Sequence, residues 1–270
     1  MKTLILAAGE GTRLRPLTNN IPKAMVPICG YPVMLRQLEI LQENGIEDVS
    51  VVGGYCQESF PEDRVKVISN PDYAQTNMVY SMFQAEEVFN SNQEVLIVYG
   101  DILFGTSATK AIINQPGDIV VGVNTEWQKL WEARFEDPLS DAESMILDGN
   151  KILELGKTVN SMDEIQGQFT GLIKFSAVAA KEIWLEWGKD ALNHPESSSV
   201  SNLYMTDFLQ CLIDKGNMVS VSFVDGDWLE VDSVGDLELY ERLAQAGQLS
   251  NICSFSSDFL IKELNVTIRD

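Results

Sequence analysis

Short apolar runs recur along the first half of the chain, with room for a helix or loop between them. Residues 3–7, 49–54, 65–68 and 94–99 are such runs. Continuous apolar runs without alternation mark strands that are covered on both faces. Between the first two, residues 33–44 place Met34, Leu35, Leu38 and Leu41 on one face of a helix, and Gly45 follows as its cap. After a loop at 70–73, residues 77–88 predict a second helix. Strands alternating with helices in this way predict a parallel, doubly wound sheet.

The second half changes character. Residues 118–123 are another apolar run, and 145–147 and 151–155 flank the turn signal Asp148-Gly149-Asn150, which predicts a hairpin. Residues 169–175 read as a strand broken by Gly171, and 219–224 as a further strand. Helices are expected at 181–187, at 203–215 before Gly216, and at 234–246, where Leu237, Leu239, Tyr240 and Leu243 set the register. No linker composition intervenes. The expectation is one domain over 1–247, with halves 1–117 and 118–247 on a common sheet and an extension at 248–270 that has no assigned role.

Composition narrows the functional classes. With 45% hydrophobic residues in 270, there is ample material for a core. No run approaches the roughly 18 apolar residues a membrane-spanning helix needs. The apolar stretch after Lys2 is too short for a secretory signal, and Cys29, Cys56, Cys211 and Cys253 form neither a CxxC pair nor a disulfide framework. A reducing cytoplasm is therefore expected. The net charge of −21 speaks against nucleic acid and anionic membrane partners. Residues 1–36 nevertheless carry Lys2, Arg13, Arg15, Lys23 and Arg36 against Glu10 alone, a net +4 that leaves −25 for the remainder.

That positive charge surrounds a small-residue turn. Residues 8–11 (Ala-Ala-Gly-Glu-Gly, from Ala7) follow the first strand and can turn their backbone N–H groups toward a ligand, with Arg13 and Lys23 close behind. A strand feeding such a turn is a phosphate-holding arrangement. It is not a P-loop, since no Gly-Lys-Ser/Thr follows Gly11, and Leu14 stands where a dinucleotide fingerprint needs its third glycine. Asp101 ends the buried run at 94–99, where open α/β sheets bind ligands. Glu230 and Asp232 alternate along an extended segment, so both point one way. Two aspartates distant in sequence could converge on Mg²⁺, which prefers hard oxygen ligands, although Asp232 could equally cap the helix that follows it. Trp127, Trp131, Tyr204, Asp207, Trp228 and Glu230 supply aromatic faces and carboxylates suited to an ammonium group. His194, in Asn-His-Pro-Glu, reads as a surface residue.

The string from Gly9 to Lys23 (Gly9, Gly11, Thr12, Arg13, Pro22 and Lys23 in one register), the Gly100-Asp101 strand end and Glu230-Val-Asp232 resemble, in that order, the nucleotidyltransferase superfamily. Over about residues 1–247 the chain is most similar to the small cytidylyltransferases of the phosphocholine and 2-aminoethylphosphonate types. The resemblance implies a Rossmann-like three-layer α/β sandwich around a mostly parallel mixed sheet. It further implies a Mg²⁺-dependent reaction of CTP, or another NTP, with a small phosphorylated or phosphonate acceptor. Arg13 would grip the β- and γ-phosphates, Lys23 the α-phosphate, and Asp101 and Asp232 the metal. Leu6, Ala7, Ala8, Gly9, Glu10, Gly11, Thr12, Gly100, and Asn77 through Ser81 would hold the nucleotide. Lys157, in Glu-Leu-Gly-Lys, would meet the acceptor phosphate, and Gly171 would lie near it together with the aromatic and acidic group above. A hexose-1-phosphate nucleotidyltransferase would share the first half. A non-catalytic nucleotide sensor would not need the complete set of Arg13, Lys23, Asp101 and Asp232.

Overall fold

The computed structural model describes residues 1–193 and 200–261. In the first half, β1 (Lys2–Ala7) leads through the phosphate-type turn to the short β2 (Pro27–Ile28) and β3 (Tyr31–Pro32), then to α1 (Val33–Glu43), β4 (Val49–Gly53) and β5 (Lys66–Ser69). After these come α2 (Met78–Phe83), α3 (Glu86–Phe89), β6 (Val95–Tyr99), β7 (Ile102–Phe104) and α4 (Thr106–Asn114). The second half contains β8 (Ile119–Asn124), α5 (Trp127–Arg134), the hairpin β9 (Glu143–Asp148) and β10 (Lys151–Thr158), and β11 (Gln168–Phe175). It continues with α6 (Ala177–Ile183), α7 (Lys189–Asn193), α8 (Met205–Asp214), β12 (Val219–Phe223), β13 (Trp228–Glu230), α9 (Val234–Gln245) and α10 (Ser257–Ile261).

Nine strands form one sheet in the order β5-β4-β1-β6-β11-β8-β12-β10-β9. The pairs β5–β4, β4–β1, β1–β6 and β8–β12 are parallel, while β11 runs against both of its neighbours and β10 against both of its own. The mixed, mostly parallel sheet is thus the one expected. Core packs on both faces. Along β1, Leu4 and Leu6 enter one apolar cluster with α2, α3, α6 and α8, while Ile5 and Ala7 enter the other with α1, α4 and α9. This is the period-two alternation of a strand, with both faces apolar because both are covered.

Three local readings change. The helix expected over 77–88 is two, α2 and α3, interrupted at Ala85, whose fully buried methyl and non-helical ψ of 49° turn the chain under the sheet. The helix expected from 181 starts earlier, at Ala177, because the Ser176 hydroxyl accepts from Ala179 N–H as its cap. Asp232 is not the cap of α9: Ser233 is, closed by Asp236 in a reciprocal capping box. Two three-residue strands are not among the apolar runs that predict strands, although an extended segment is expected at 230–232. β7 and β13 pair antiparallel, Ile102 opposite Glu230 and Phe104 opposite Trp228. The described part of the extension, through Ile261, packs onto α1, where the buried Arg36 guanidinium donates to the carbonyls of Ile28, Phe259 and Leu260 at 2.7–3.1 Å. His194 lies outside the described residues.

Candidate active site

The chain leaves β1 toward β4 and β5 on one side and returns through β6 on the other, so the carboxyl ends of β1 and β6 form a topological switch point. A cavity of about 390 Å³ opens there. Leu6, Ala7 and Ala8 from β1 and its turn, and Gly100 after β6, line it. Gly100 donates to Leu6 O at 2.9 Å, and a Cβ on it would stand 2.9 Å from both that oxygen and Ala7 Cβ, so only glycine fits. Gly11 carries φ +62° and lies against Lys23, where an added Cβ would meet Lys23 Cβ at 2.9 Å. The left-handed turn and the lysine behind it are therefore built as one unit.

The β7–β13 pair closes the charged end. Val231 N–H donates to Asp101 O at 2.9 Å, which sets Asp101 and Asp232 side by side although 131 positions separate them in sequence. Lys23 Nζ donates to Asp101 Oδ2 at 2.6 Å and to Asp232 Oδ1 at 2.5 Å, and Arg13 Nη1 reaches Asp232 Oδ2 at 2.5 Å. Burial opposes the charge on Lys23, but Asp101, Asp232 and Glu230 outweigh it and hold the ammonium above its ordinary range. Glu230 has the reverse problem. Burial, countered by Arg134 and reinforced by Asp101, pushes its carboxyl up to about 7. Asp101 Oδ1 is buried and has no hydrogen-bond partner among the described residues. A hard, unsatisfied oxygen beside a second carboxylate suits a divalent cation such as Mg²⁺, so Asp101 and Asp232 fit a metal.

A second cavity, about 270 Å³, lies beyond this charged centre and shares Arg13, Met78, Tyr99, Glu230 and Asp232 with the first. Around it stand Trp131, Trp228 and Tyr204, the carboxylates of Asp141 and Glu143, and Gln168 with Thr170. Gly171 lets β11 pass under Tyr99, since at φ +76° a Cβ would fall 2.6 Å from the tyrosine ring. Trp131 and Trp228 stack at 6.0 Å between centroids, and Arg134 lies over Trp131 at 5.3 Å. The Arg134 side chain is 1% exposed and pairs with Glu230 at 3.0 Å and with Asp236 at 2.8 Å. Asp236 Oδ2 in turn accepts from the backbone N–H of Asp232 and Ser233. One buried arginine thus ties the wall of the second cavity to the carboxylates of the first.

Comparison with known proteins places this geometry. Residues 3–143 match the model of the MobA-like NTP transferase domain. The chain belongs to that family. It is a nucleotidyltransferase. The chain is 36% identical over 251 residues to the CTP:phosphoglutamine cytidylyltransferase of Campylobacter jejuni, covering 88% of this chain and 98% of the relative. Among solved structures, an inositol-1-phosphate CTP transferase from T. maritima superposes with TM-score 0.67 at 25% identity, over 88% of this chain and 94% of the other. The CTP:phosphocholine cytidylyltransferase of Streptococcus pneumoniae shares the fold with TM-score 0.66 at 24% identity, over 90% and 98%.

In this nucleotidyltransferase the anticipated nucleotide residues gather closely. Leu6 through Gly9, Gly11, Thr12, Arg13, Lys23, Asn77, Ser81, Gly100 and Asp101 all line the first cavity. Glu10 does not; its carboxylate turns outward to Arg15 at 2.7 Å. Of the five basic residues in 1–36, only Arg13 and Lys23 face the site, since Lys2 pairs with Asp48 and Arg36 serves the C-terminal segment. Gly171, Tyr204, Trp228 and Glu230 line the second cavity. Trp127 is instead a core residue, 5% exposed and edge-on to Trp131, and lines neither cavity. Lys157 and Asp207 also lie outside both linings; the Lys157 ammonium pairs with Glu154 on the hairpin surface, and Asp207 sits exposed in the first turn of α8. Sequence reasoning missed Tyr73, Thr76, Asp141, Glu143 and Arg134. The last carried a legible signal, because an arginine flanked by Trp131 and Phe135 on a short helix is placed for stacking.

Proposed function

We propose that the protein transfers CMP from CTP to a small phosphorylated acceptor and releases pyrophosphate. The observation that carries this reading is the wall shared by the two cavities: Arg13, Tyr99, Glu230 and Asp232 border both. A nucleotide in the first cavity and an acceptor in the second would meet across that wall. The acceptor phosphate oxygen attacks the α-phosphorus, a P–O bond forms, and the bond to the β-phosphate oxygen breaks with its electron pair leaving on pyrophosphate. No general base is required, because the acceptor phosphate is already ionised at neutral pH. The turn at Gly9–Thr12 and Arg13 hold the leaving phosphates. Lys23, kept charged by its carboxylate neighbours, stabilises the negative charge that builds at the α-phosphate. A divalent cation, here taken to be Mg²⁺ on Asp101 and Asp232, would supply further charge neutralisation at the phosphates.

The relatives are named for phosphoglutamine, phosphocholine and inositol-1-phosphate, so the acceptors differ in everything but the phosphate. For this chain, Asp141 and Glu143 favour an acceptor with an amine or amide nitrogen beside the phosphate. The stacked Trp131–Trp228 pair already carries Arg134, so the carboxylates and Tyr204, rather than a tryptophan cage, recognise the head group. The test is pyrophosphate release from CTP, UTP, GTP, ATP and dTTP against phosphocholine, O-phosphorylated glutamine amide, 2-aminoethylphosphonate, inositol-1-phosphate and glucose-1-phosphate. The expected result is release with CTP and a nitrogen-bearing acceptor, lost on adding EDTA. Release with hexose phosphate alone would move the protein to sugar activation, and nucleotide binding without any release would make it a sensor.

A further inference from the structure

Asn70 is fully buried beneath the uncharged end of the nucleotide cavity and touches none of the cavity surface itself. Its hydrogen bonds are directional. Oδ1 accepts from Asp72 N–H at 3.0 Å, which fixes the amide orientation, because only the oxygen can receive that proton. Nδ2 therefore faces inward and donates to Ser81 Oγ at 2.9 Å and to Thr76 Oγ1 at 3.2 Å. Both residues line the cavity. Their own protons already have acceptors inside the protein: Thr76 Oγ1 donates to Asp72 O at 2.8 Å and Ser81 Oγ to Asn77 O at 3.3 Å. A hydroxyl has one proton and two lone pairs. With the proton and one lone pair engaged, each oxygen offers the cavity a single remaining lone pair and no donor.

Resting on the cytidylyltransferase reading, we propose that Asn70 is the positioning residue that sets base selection. By turning Ser81 and Thr76 into acceptors only, it makes this wall bind the exocyclic amine of a base such as cytosine and oppose the carbonyl that uracil carries at the same place. The charged end of the cavity, with Arg13, Lys23 and the two aspartates, takes the phosphates, which directs the nucleobase to the Thr76–Ser81 end. A site built to receive a donor discriminates strongly against an analogue that lacks it, since a polar group is otherwise left unpaired.

The test is calorimetric binding of CTP and UTP to the full chain, without acceptor, for the wild type, Ser81→Ala, Thr76→Val and Asn70→Ala. Wild type is expected to bind CTP more tightly than UTP. Ser81→Ala should shrink the CTP:UTP affinity ratio about fivefold or more, Thr76→Val less, and Asn70→Ala at least as much as Ser81→Ala. A purely structural role for Asn70 would weaken both nucleotides together and leave the ratio unchanged. Ser81→Ala removes one oxygen and keeps the helix, so it decides the question even when Asn70→Ala fails to fold. Equal binding of CTP and UTP by wild type, or a ratio in Ser81→Ala within twofold of wild type, overturns the inference. CTP-selective binding with no pyrophosphate release overturns the proposed reaction and leaves the role of Asn70 standing.

Discussion

Leu6, Ala7, Ala8, Gly9, Gly11, Thr12, Arg13 and Lys23 reach the first cavity from positions 6–23, whereas the second draws Trp131, Asp141, Glu143, Gln168, Tyr204 and Trp228 from across roughly a hundred positions. The first is built around that one stretch and completed by Asn77, Ser81, Asp101, Glu230 and Asp232, whereas the second is assembled from several short segments with no such stretch. The difference follows from the ligands each is proposed to hold. A polyphosphate offers the same oxygens in every nucleotide, so one turn of backbone N–H groups with two cations suffices, and such a turn is necessarily local. A head group varies in shape and charge, and its recognition depends on side chains that only a folded sheet can bring together.

The largest expected effect lies where the two regions are tied. Arg134→Met would leave Glu230 and Asp236 without their buried counter-charge and should cost about 3–5 kcal/mol in chemical denaturation. Burial alone would raise the Asp236 carboxyl, but Arg134 more than offsets it and holds that group below the ordinary carboxylate range. A depressed folded-state value means that the carboxylate stabilises the protein at neutral pH and ceases to as pH falls through that lowered value. Asp236→Asn, lacking the contribution at every pH, should therefore differ most from wild type near neutrality and converge with it in acid.

Lys23→Ala probes the first cavity directly and should lower kcat by roughly 10²–10³, the cost of losing one donor placed at developing charge, while the fold persists in circular dichroism. In the second cavity, Glu143→Gln should raise the acceptor KM about tenfold, the loss of one charge-assisted contact, with little change in the CTP KM. The same substitution should alter stability in the opposite sense. Burial, then repulsion from Asp207 and Asp141, raises the Glu143 carboxyl above its ordinary value. The folded protein thus disfavours the ionised form, and a penalty accumulates as pH rises past that ordinary value. Glu143→Gln should melt higher than wild type at pH 7.5 and alike at pH 4. Smallest of all should be Lys157→Ala, an exposed pair on the hairpin, with changes in acceptor KM and melting temperature near the limit of detection. A large acceptor defect there would mean that the hairpin closes over the second cavity, and would weaken the contrast between the two sites.

The amino-acid sequence by itself determined the strands of the sheet, the Asp148-Gly149 hairpin and the phosphate turn with Arg13 and Lys23. Each is written in neighbouring residues: apolar runs without alternation, a turn dipeptide, and small residues and glycines followed closely by two basic residues. Asp101 and Asp232 were legible as types at plausible places, but not as partners. Only tertiary structure decided that, because β7 and β13 are three-residue strands whose pairing spans the chain and has no local periodicity to announce it. The same reason separates Trp131 from Trp127. Both look alike on a short helix, and which ring borders the cavity and which fills the core depends on what packs against α5. Lys157 and Asp207 show the converse: a residue type suited to a ligand stands outside both linings when the fold turns it to solvent. The phosphate-type turn was readable in the linear chain because it is local, whereas the lining of the second cavity was legible only in part, as Gly171, Tyr204, Trp228 and Glu230, because its residues meet only across the sheet.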